Sequence, residues 1–317
     1  MHGTASPLRV RWARWARRSP AAGAAVMATG IVSVALQQAG RAVLSQAALG
    51  LACAAWLGFA AGFALWLLRE RRAAPTPSAL TAVAATAVLG TRFALLGRQV
   101  LAGALLALAV ALWPVLLVHV LRRWERRMPG AVFLGCVATE SIAALGAVLA
   151  RATATAWLAH LALVLFWLGL VFYGLAAARF DPRQLLEGAG DQWIVGGALA
   201  VSALAGARLV AVGSTRPYLW SGDDQGVLRA VTAALLVLDG AWYAVLLVAE
   251  AVRPRPGYDV RRWSTVFPMG MTAAATLSAG TALGIPWLRG PGVVLVWVSV
   301  AAWLAVAVGA VRSTARR

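Results

Sequence analysis

The strongest constraint on this chain is a series of ten apolar segments, each about as long as a bilayer crossing. A helix needs about 20 mostly apolar residues to cross the hydrocarbon core. Of the 317 residues, 61% are hydrophobic and only 13% are charged, whereas soluble domains carry about 25% charged residues. The sequence therefore predicts an all-α polytopic membrane protein with transmembrane helices near residues 21–38, 44–68, 78–96, 100–121, 130–150, 154–178, 192–212, 227–252, 264–283 and 292–311.

The arginines predict the orientation of these helices. All 29 basic residues are arginines, and 21 of them lie in the two tails and in the loops after the second, fourth, sixth and eighth segments. Cytoplasmic loops carry an excess of basic residues, so we expect both termini in the cytoplasm and the protein in the cytoplasmic membrane. The net charge of +18 does not indicate a nucleic-acid partner, because the arginines are spread over alternate loops instead of forming one basic face.

The same pattern divides the chain into three parts. We assign residues 1–20 to a basic cytoplasmic N-terminal tail, 21–312 to the transmembrane domain and 313–317 to a cytoplasmic C-terminal tail. Five arginines before the apolar run 21–35 also resemble a signal peptide. Because this run completes the repeat described next, we expect it to be retained.

The odd and even segments differ in composition, and this indicates a repeat. Odd segments are rich in Gly, Ala, Ser and Thr, whereas even segments are bulkier. Small residues let helices approach closely, so we predict five hairpin repeats with the odd helices in an inner ring around a central pore. Tight packing without a pore is the alternative. The pore-lining candidates are Thr29, Gly30, Ser33, Gly90, Thr91, Thr139, Ser141, Gly196, Gly197, Gly270 and Ala274.

A few ionisable residues fall inside the predicted membrane segments. Glu140 lies in the middle of the fifth segment, and such carboxylates often belong to proton paths; alternatively it bridges helices. Arg92 and Arg208 lie toward the outer ends of odd segments, where they attract anions or instead reach the headgroups and pair with acids. No metal-ligand cluster, nucleotide-binding motif or catalytic constellation is present, so we predict no enzyme, no cofactor and no metal.

Phe267 stands out in the ninth segment because it precedes Pro268 and is followed mainly by small residues. Hydrophobic constrictions close pores by excluding water, so the Phe267 ring at the Pro268 kink is a candidate gate. Packing of the ring between helices is the alternative.

Five motifs, in order, resemble the odd helices of the tellurite-resistance/dicarboxylate transporter family. This family includes plant guard-cell slow anion channels and bacterial tellurite-resistance proteins. The resemblance implies ten helices in five hairpins, odd helices lining the pore, a homotrimer, and occlusion of each pore by a Phe that matches Phe267. The motifs are Val26-Met-Ala-Thr-Gly-Ile-Val-Ser33, Val88-Leu-Gly-Thr-Arg92, Thr139-Glu-Ser-Ile-Ala-Ala-Leu-Gly146, Asp191-Gln-Trp-Ile-Val-Gly-Gly-Ala198 and Trp263-Ser-Thr-Val-Phe-Pro-Met-Gly270.

Three functions are compatible with these features. The leading interpretation is a passive, uniporter-like channel for small inorganic or organic anions, with the lipid bilayer and a second and third copy of the chain as partners. The first alternative is a proton-coupled carrier for C4-dicarboxylates or sulfite that uses Glu140. The second is a non-conducting membrane scaffold or sensor.

Overall fold

The computed structural model describes residues 7–69, 77–216, 219–255 and 257–315, and its named elements there are all helical. One isolated parallel bridge joins Met128 and Phe180. The helices are α1 (Pro7–Gln38), α2 (Ala42–Arg69), α3 (Thr81–Leu95), α4 (Gln99–Leu121), α5 (Leu134–Thr153), α6 (Ala156–Ala177), the single turn α7 (Gln184–Glu187), α8 (Ile194–Thr215), α9 (Gly222–Val252), α10 (Trp263–Leu283) and α11 (Arg289–Ala315).

Nine helices in the described part of the chain are long and apolar enough to cross a membrane, which confirms the all-helical membrane class. The first predicted segment lies at the end of α1, where Gly23–Gln38 forms a shorter apolar helical stretch. Since α1 is continuous from Pro7, the boundary predicted at residue 20 falls inside a helix. The predicted tail residues 1–6 and 316–317 lie outside the described residues.

Burial separates the long helices into two groups. The apolar windows of α3, α5, α8 and α10 are 83–94% buried, whereas those of α2, α4, α6, α9 and α11 are 11–33% buried. The part of α1 after Gly23 is also mostly buried. We call α1, α3, α5, α8 and α10 the inner helices and α2, α4, α6, α9 and α11 the outer helices. Because the inner helices carry small residues, their backbones pack closely.

Contacts among the inner helices form a closed sequence. Helix α1 packs against α3, α3 against α5, α5 against α8, α8 against α10, and α10 returns to α1. Each inner helix also packs against the outer helix that follows it in the chain. The axial region of the molecule is therefore enclosed by five helices from distant parts of the sequence.

Short turns set the ends of the inner helices. A 3₁₀ turn precedes α3, α5, α8 and α10. At the opposite end, the turns from α1, α3, α5 and α10 into the next outer helix each contain a residue with positive φ: Gly40, Gly97, Ala154 and Gly284. A left-handed residue ends a helix and reverses the chain sharply, so each turn sends the chain back along the inner helix it follows.

Candidate functional site

Three spaces lie between the inner helices. The N-terminal vestibule, of about 470 Å³, is bordered by the first turns of α3, α5, α8 and α10 and by Ala24 of α1. The C-terminal vestibule, of about 710 Å³, is bordered by the last turns of α1, α8 and α10 and by Arg151 of α5. Between these levels, a central cavity of about 10 Å³ is lined by Ile31, Val34, Val88, Thr91, Ser141, Ala144, Val201, Leu204 and Met271.

The lining residues of each inner helix repeat at intervals of seven. On α10, for example, Ser264 lines the N-terminal vestibule, Met271 the central cavity and Ser278 the C-terminal vestibule. Seven residues make about two helical turns, or about 10 Å of rise, and return to the same face of the helix. The other inner helices follow the same interval: Ala24, Ile31 and Gln38; Thr81, Val88 and Leu95; Leu134, Ser141 and Val148; Ile194, Val201 and Arg208.

This spacing determines the geometry of the candidate site. On every inner helix, residues of one face line the N-terminal vestibule first, then the central cavity, and then a space at the helix C-terminus. The five inner helices therefore run parallel to one another. A side chamber of about 310 Å³, which Leu95 and Val148 help to line, adjoins the C-terminal vestibule and shares Arg151, Arg208 and Ala211 with it.

The central cavity is narrow and mainly apolar. Its volume is about the minimum that one water molecule needs. The Thr91 hydroxyl donates to the Ala87 carbonyl (2.9 Å), while the buried Ser141 hydroxyl has no hydrogen-bond partner within the described residues. The cavity lining therefore supplies only two hydroxyl groups to a passing polar species.

Phe267 lies on α10 between the residues that line two of these spaces. It follows Ser264 by three residues and precedes Met271 by four, so all three lie on neighbouring parts of one helix face. Its side chain is only 1% exposed. Phe267 is absent from the lining of the spaces described above, and its place in the sequence puts its backbone at a depth between the N-terminal vestibule and the central cavity. A gate at this ring stays a prediction.

Pro268 packs directly on α8. A methyl group added at Gly197 would lie 2.7 Å from Cγ of Pro268. The absence of a side chain at Gly197 therefore allows the proline in α10 to approach α8 closely.

Asp259 lies just before the 3₁₀ turn that leads into α10. Its carboxylate accepts a hydrogen bond from the backbone N–H of Arg261 (2.8 Å), and the hydrogen bond from the Arg261 side chain lowers the pKa of Asp259.

The predicted pore-lining residues occupy different environments. Thr91 and Ser141 line the central cavity. Thr29 and Thr139 instead accept hydrogen bonds from Trp303 and Trp113 of outer helices, both at 2.9 Å. The Ala274 carbonyl accepts from the side chain of Gln38 (3.1 Å) when the Gln38 amide is oriented so that its donors face acceptors.

The predicted glycines lie at contacts between helices. An added methyl group would meet Val88 at Gly30 (2.9 Å), Leu145 at Gly90 (2.6 Å) and Ile31 at Gly270 (2.9 Å), all on the next inner helix. At Gly196 it would meet Leu246 of α9 at 3.3 Å. These contacts give the glycines a packing role, and a direct role in lining a pore stays a prediction.

Arg92 is enclosed among α1, α2 and α3. Its Nε lies 3.2 Å from the hydroxyls of both Ser33 and Ser45, and its Nη2 donates to Oε1 of Gln37 (3.0 Å). The two serines also donate to each other's backbone carbonyls at 2.7 Å. Arg92 is fully buried and is absent from the lining of the spaces described above, so its contacts join the first hairpin to α3.

Arg208 occupies a different environment, on the border of the C-terminal vestibule and the side chamber. In the same orientation of the Gln38 amide, Arg208 Nη2 donates to Gln38 Oε1 (2.6 Å), which also accepts from the Ser278 hydroxyl (2.9 Å). Arg151 borders both spaces, and Arg289 borders the vestibule. Three guanidinium groups therefore gather at this end of the inner helices.

Glu140 points away from the central cavity, although its neighbour Ser141 lines it. A methyl group added at Gly169 of α6 would lie 2.6 Å from the carboxylate carbon of Glu140. The side chain of Glu140 is fully buried and lies near both Gly169 of α6 and the Ser202 hydroxyl of α8. It therefore lies where α5 meets these two helices and not in the central cavity. Asp239 is also fully buried and accepts a hydrogen bond from Thr272 (3.1 Å).

The residues that sequence reasoning missed are mainly apolar. Most of the central cavity is lined by Ile, Val, Leu, Ala and Met, and the C-terminal vestibule includes Gln38 and Arg151. Polar and small residues drew attention because they are unusual in membrane segments. Alignment of the five odd segments at intervals of seven would have found the apolar layer.

Comparison with known proteins identifies the family of this chain. The model of the SLAC1 family, described as voltage-dependent anion channels, matches residues 17–311. The chain belongs to this family. Two uncharacterized membrane proteins of Mycobacterium tuberculosis, from strains CDC 1551 / Oshkosh and H37Rv, are each 27% identical over 140 residues. That match covers 42% of this chain and 65% of each relative's length.

Membership places the protein among membrane proteins of an anion channel and transporter family. It confirms the resemblance read from the five odd-helix motifs.

Proposed function

We propose that the protein is a passive channel for small anions. The path of the anion lies between the five inner helices, and the channel is closed at Phe267. The observation that carries this proposal is the central cavity, because all five inner helices line it and a larger vestibule lies toward each end. In this arrangement ten transmembrane helices form five hairpins, with the inner ring surrounding the path. The excess of arginines on one side orients the N-terminal vestibule toward the cytoplasm.

The size and polarity of the cavity support a closed state. A cavity of about 10 Å³ cannot pass a hydrated anion, and an apolar constriction of this size excludes water. Opening requires the Phe267 ring to leave its position between the N-terminal vestibule and the cavity. Glu140 does not oppose anions at this level, because its side chain packs over Gly169 on the outer side of α5.

The parallel inner helices also favour anions at the N-terminal vestibule. Four helix N-termini, those of α3, α5, α8 and α10, border it, and each carries the positive end of a helix dipole. The opposite vestibule is bordered by the C-terminal ends of α1, α5, α8 and α10, where Arg151, Arg208 and Arg289 supply compensating positive charge. An anion therefore meets a favourable field at both entrances.

The direct test is anion current through the purified protein in planar bilayers, comparing wild type with Phe267→Ala. We expect the variant to conduct at least about tenfold more, because the substitution removes a ring from an apolar constriction. The matched control is Phe166→Ala, which deletes an equally buried ring on outer helix α6. Equal currents from both variants, or no current from either, would contradict a gate at Phe267.

A second arm of this experiment tests proton coupling. Glu140→Gln in the Phe267→Ala background should leave the anion current within about twofold, because the side chain does not line the path. Loss of flux in Glu140→Gln, together with uptake of malate or sulfite driven by a pH gradient, would instead support the carrier.

A further inference from the structure

The arginines at the C-terminal vestibule form an unusual group because no acid accompanies them. Arg151, Arg208 and Arg289 line the vestibule, and the first two also line the side chamber. Within the described residues, neither lining contains Asp or Glu, and none of the three arginines forms an ion pair. Arg151 and Arg289 are exposed, whereas the Nε of Arg208 is buried without a partner. The three arginines therefore present positive charge to the vestibule that no Asp or Glu of these two linings neutralises.

Two of these guanidinium groups lie on neighbouring inner helices. Arg151 belongs to α5 and Arg208 to α8. Like charges at short range destabilise each other unless an opposite charge lies nearby. Here both arginines border the same two spaces, so the point between them is open to a ligand.

Arg208 is also held in position with a free donor. Gln38 at the end of α1 accepts from Arg208 Nη2 and is itself bonded to the Ala274 carbonyl and the Ser278 hydroxyl of α10. The buried Nε of Arg208 has no hydrogen-bond partner within the described residues. The side chain is thus fixed by α1 and α10 while one N–H remains available.

We infer that Arg151 and Arg208 form a binding site for a small oxyanion at the junction of the C-terminal vestibule and the side chamber. Guanidinium groups bind planar oxyanions through two parallel hydrogen bonds, and the arginine fork matches a carboxylate better than a lysine does. The ligand class is therefore a small carboxylate or a similar planar oxyanion. Gln38 is a positioning residue. The inference rests on the proposed function only for its place along the anion path.

The test is calorimetric titration of sodium formate into the purified full-length protein at constant ionic strength. We expect saturable binding by wild type, with affinity reduced at least about tenfold in Arg208→Gln and in Arg151→Gln, because each loses a charged hydrogen bond. Arg151 is exposed, so its variant should fold normally. Arg98→Gln is the control, because Arg98 is exposed at the same end of the inner helices but lines neither space.

Arg208→Lys tests the geometry of recognition. It keeps the charge but loses the fork, so formate binding should weaken while chloride competes more effectively than in wild type. Absence of formate binding to wild type, or affinities unchanged in both glutamine variants, would overturn the site. Formate binding that persists while Phe267→Ala fails to conduct would retain the site and refute the channel.

Discussion

At the scale of single residues, hydroxyls of the inner helices pair with indoles of the outer helices. Trp56 donates to Thr86 (3.0 Å), Trp113 to Thr139 and Trp303 to Thr29. Each tryptophan lies 14 residues after the first residue of its helix, Ala42, Gln99 or Arg289. Each threonine also donates to the carbonyl four residues earlier. Buried polar groups need such partners in a membrane, which explains why these threonines face outward.

Ala154 occupies a position that elsewhere belongs to glycine. Its φ of 61° matches the left-handed turns at Gly40, Gly97 and Gly284. A residue with a Cβ is strained in this region, so Ala154→Gly should stabilise the protein by about 0.5–1 kcal/mol. The measurement is thermal unfolding in detergent. Ala152→Gly, an exposed change inside the last turn of α5, should act in the opposite direction. A lower melting temperature for Ala154→Gly would contradict the strain.

At the scale of helices, the contact between α8 and α10 depends on one glycine. Gly197→Ala would place a methyl group 2.7 Å from Cγ and 3.0 Å from Cβ of Pro268. The rigid proline ring cannot rotate away, so we expect a loss of about 1–3 kcal/mol in the free energy of unfolding. Chemical denaturation of the purified protein measures it.

The adjacent residue provides the control for this prediction. In Gly196→Ala the nearest atom is Leu246 Cδ1 at 3.3 Å, on a flexible side chain of α9. This variant should therefore lose less stability than Gly197→Ala. Equal losses from the two variants would show that the proline contact is not the limiting one.

At the scale of the whole molecule, the arginine distribution predicts orientation. Both termini should lie in the cytoplasm, because 21 of the 29 arginines fall on that side and basic loops are retained there. A fluorescent protein fused to the C-terminus should fluoresce, and alkaline phosphatase inserted in the turn at residues 96–98 should be active. The reverse result from both fusions would mean that the N-terminal vestibule faces away from the cytoplasm.

Assembly as a homotrimer stays a prediction from the family resemblance, and native mass spectrometry would test it.

The sequence alone was sufficient for the membrane class and for the family. Long apolar segments can satisfy their backbone only as helices in a bilayer, and the family model matches most of the chain. The sequence also distinguished the segments rich in small residues from the bulkier segments. These properties are local, since they depend on composition within about 20 residues.

Which side chains meet was decided only by the tertiary structure. Ser141 and Glu140 are neighbours in sequence, yet one lines the central cavity and the other packs against α6, because successive residues on a helix differ by about 100° in direction. Likewise, Arg208 and Arg151 are joined at one vestibule with Gln38, although the three lie on separate helices. Pairings of this kind depend on helix rotation and packing, which composition does not specify.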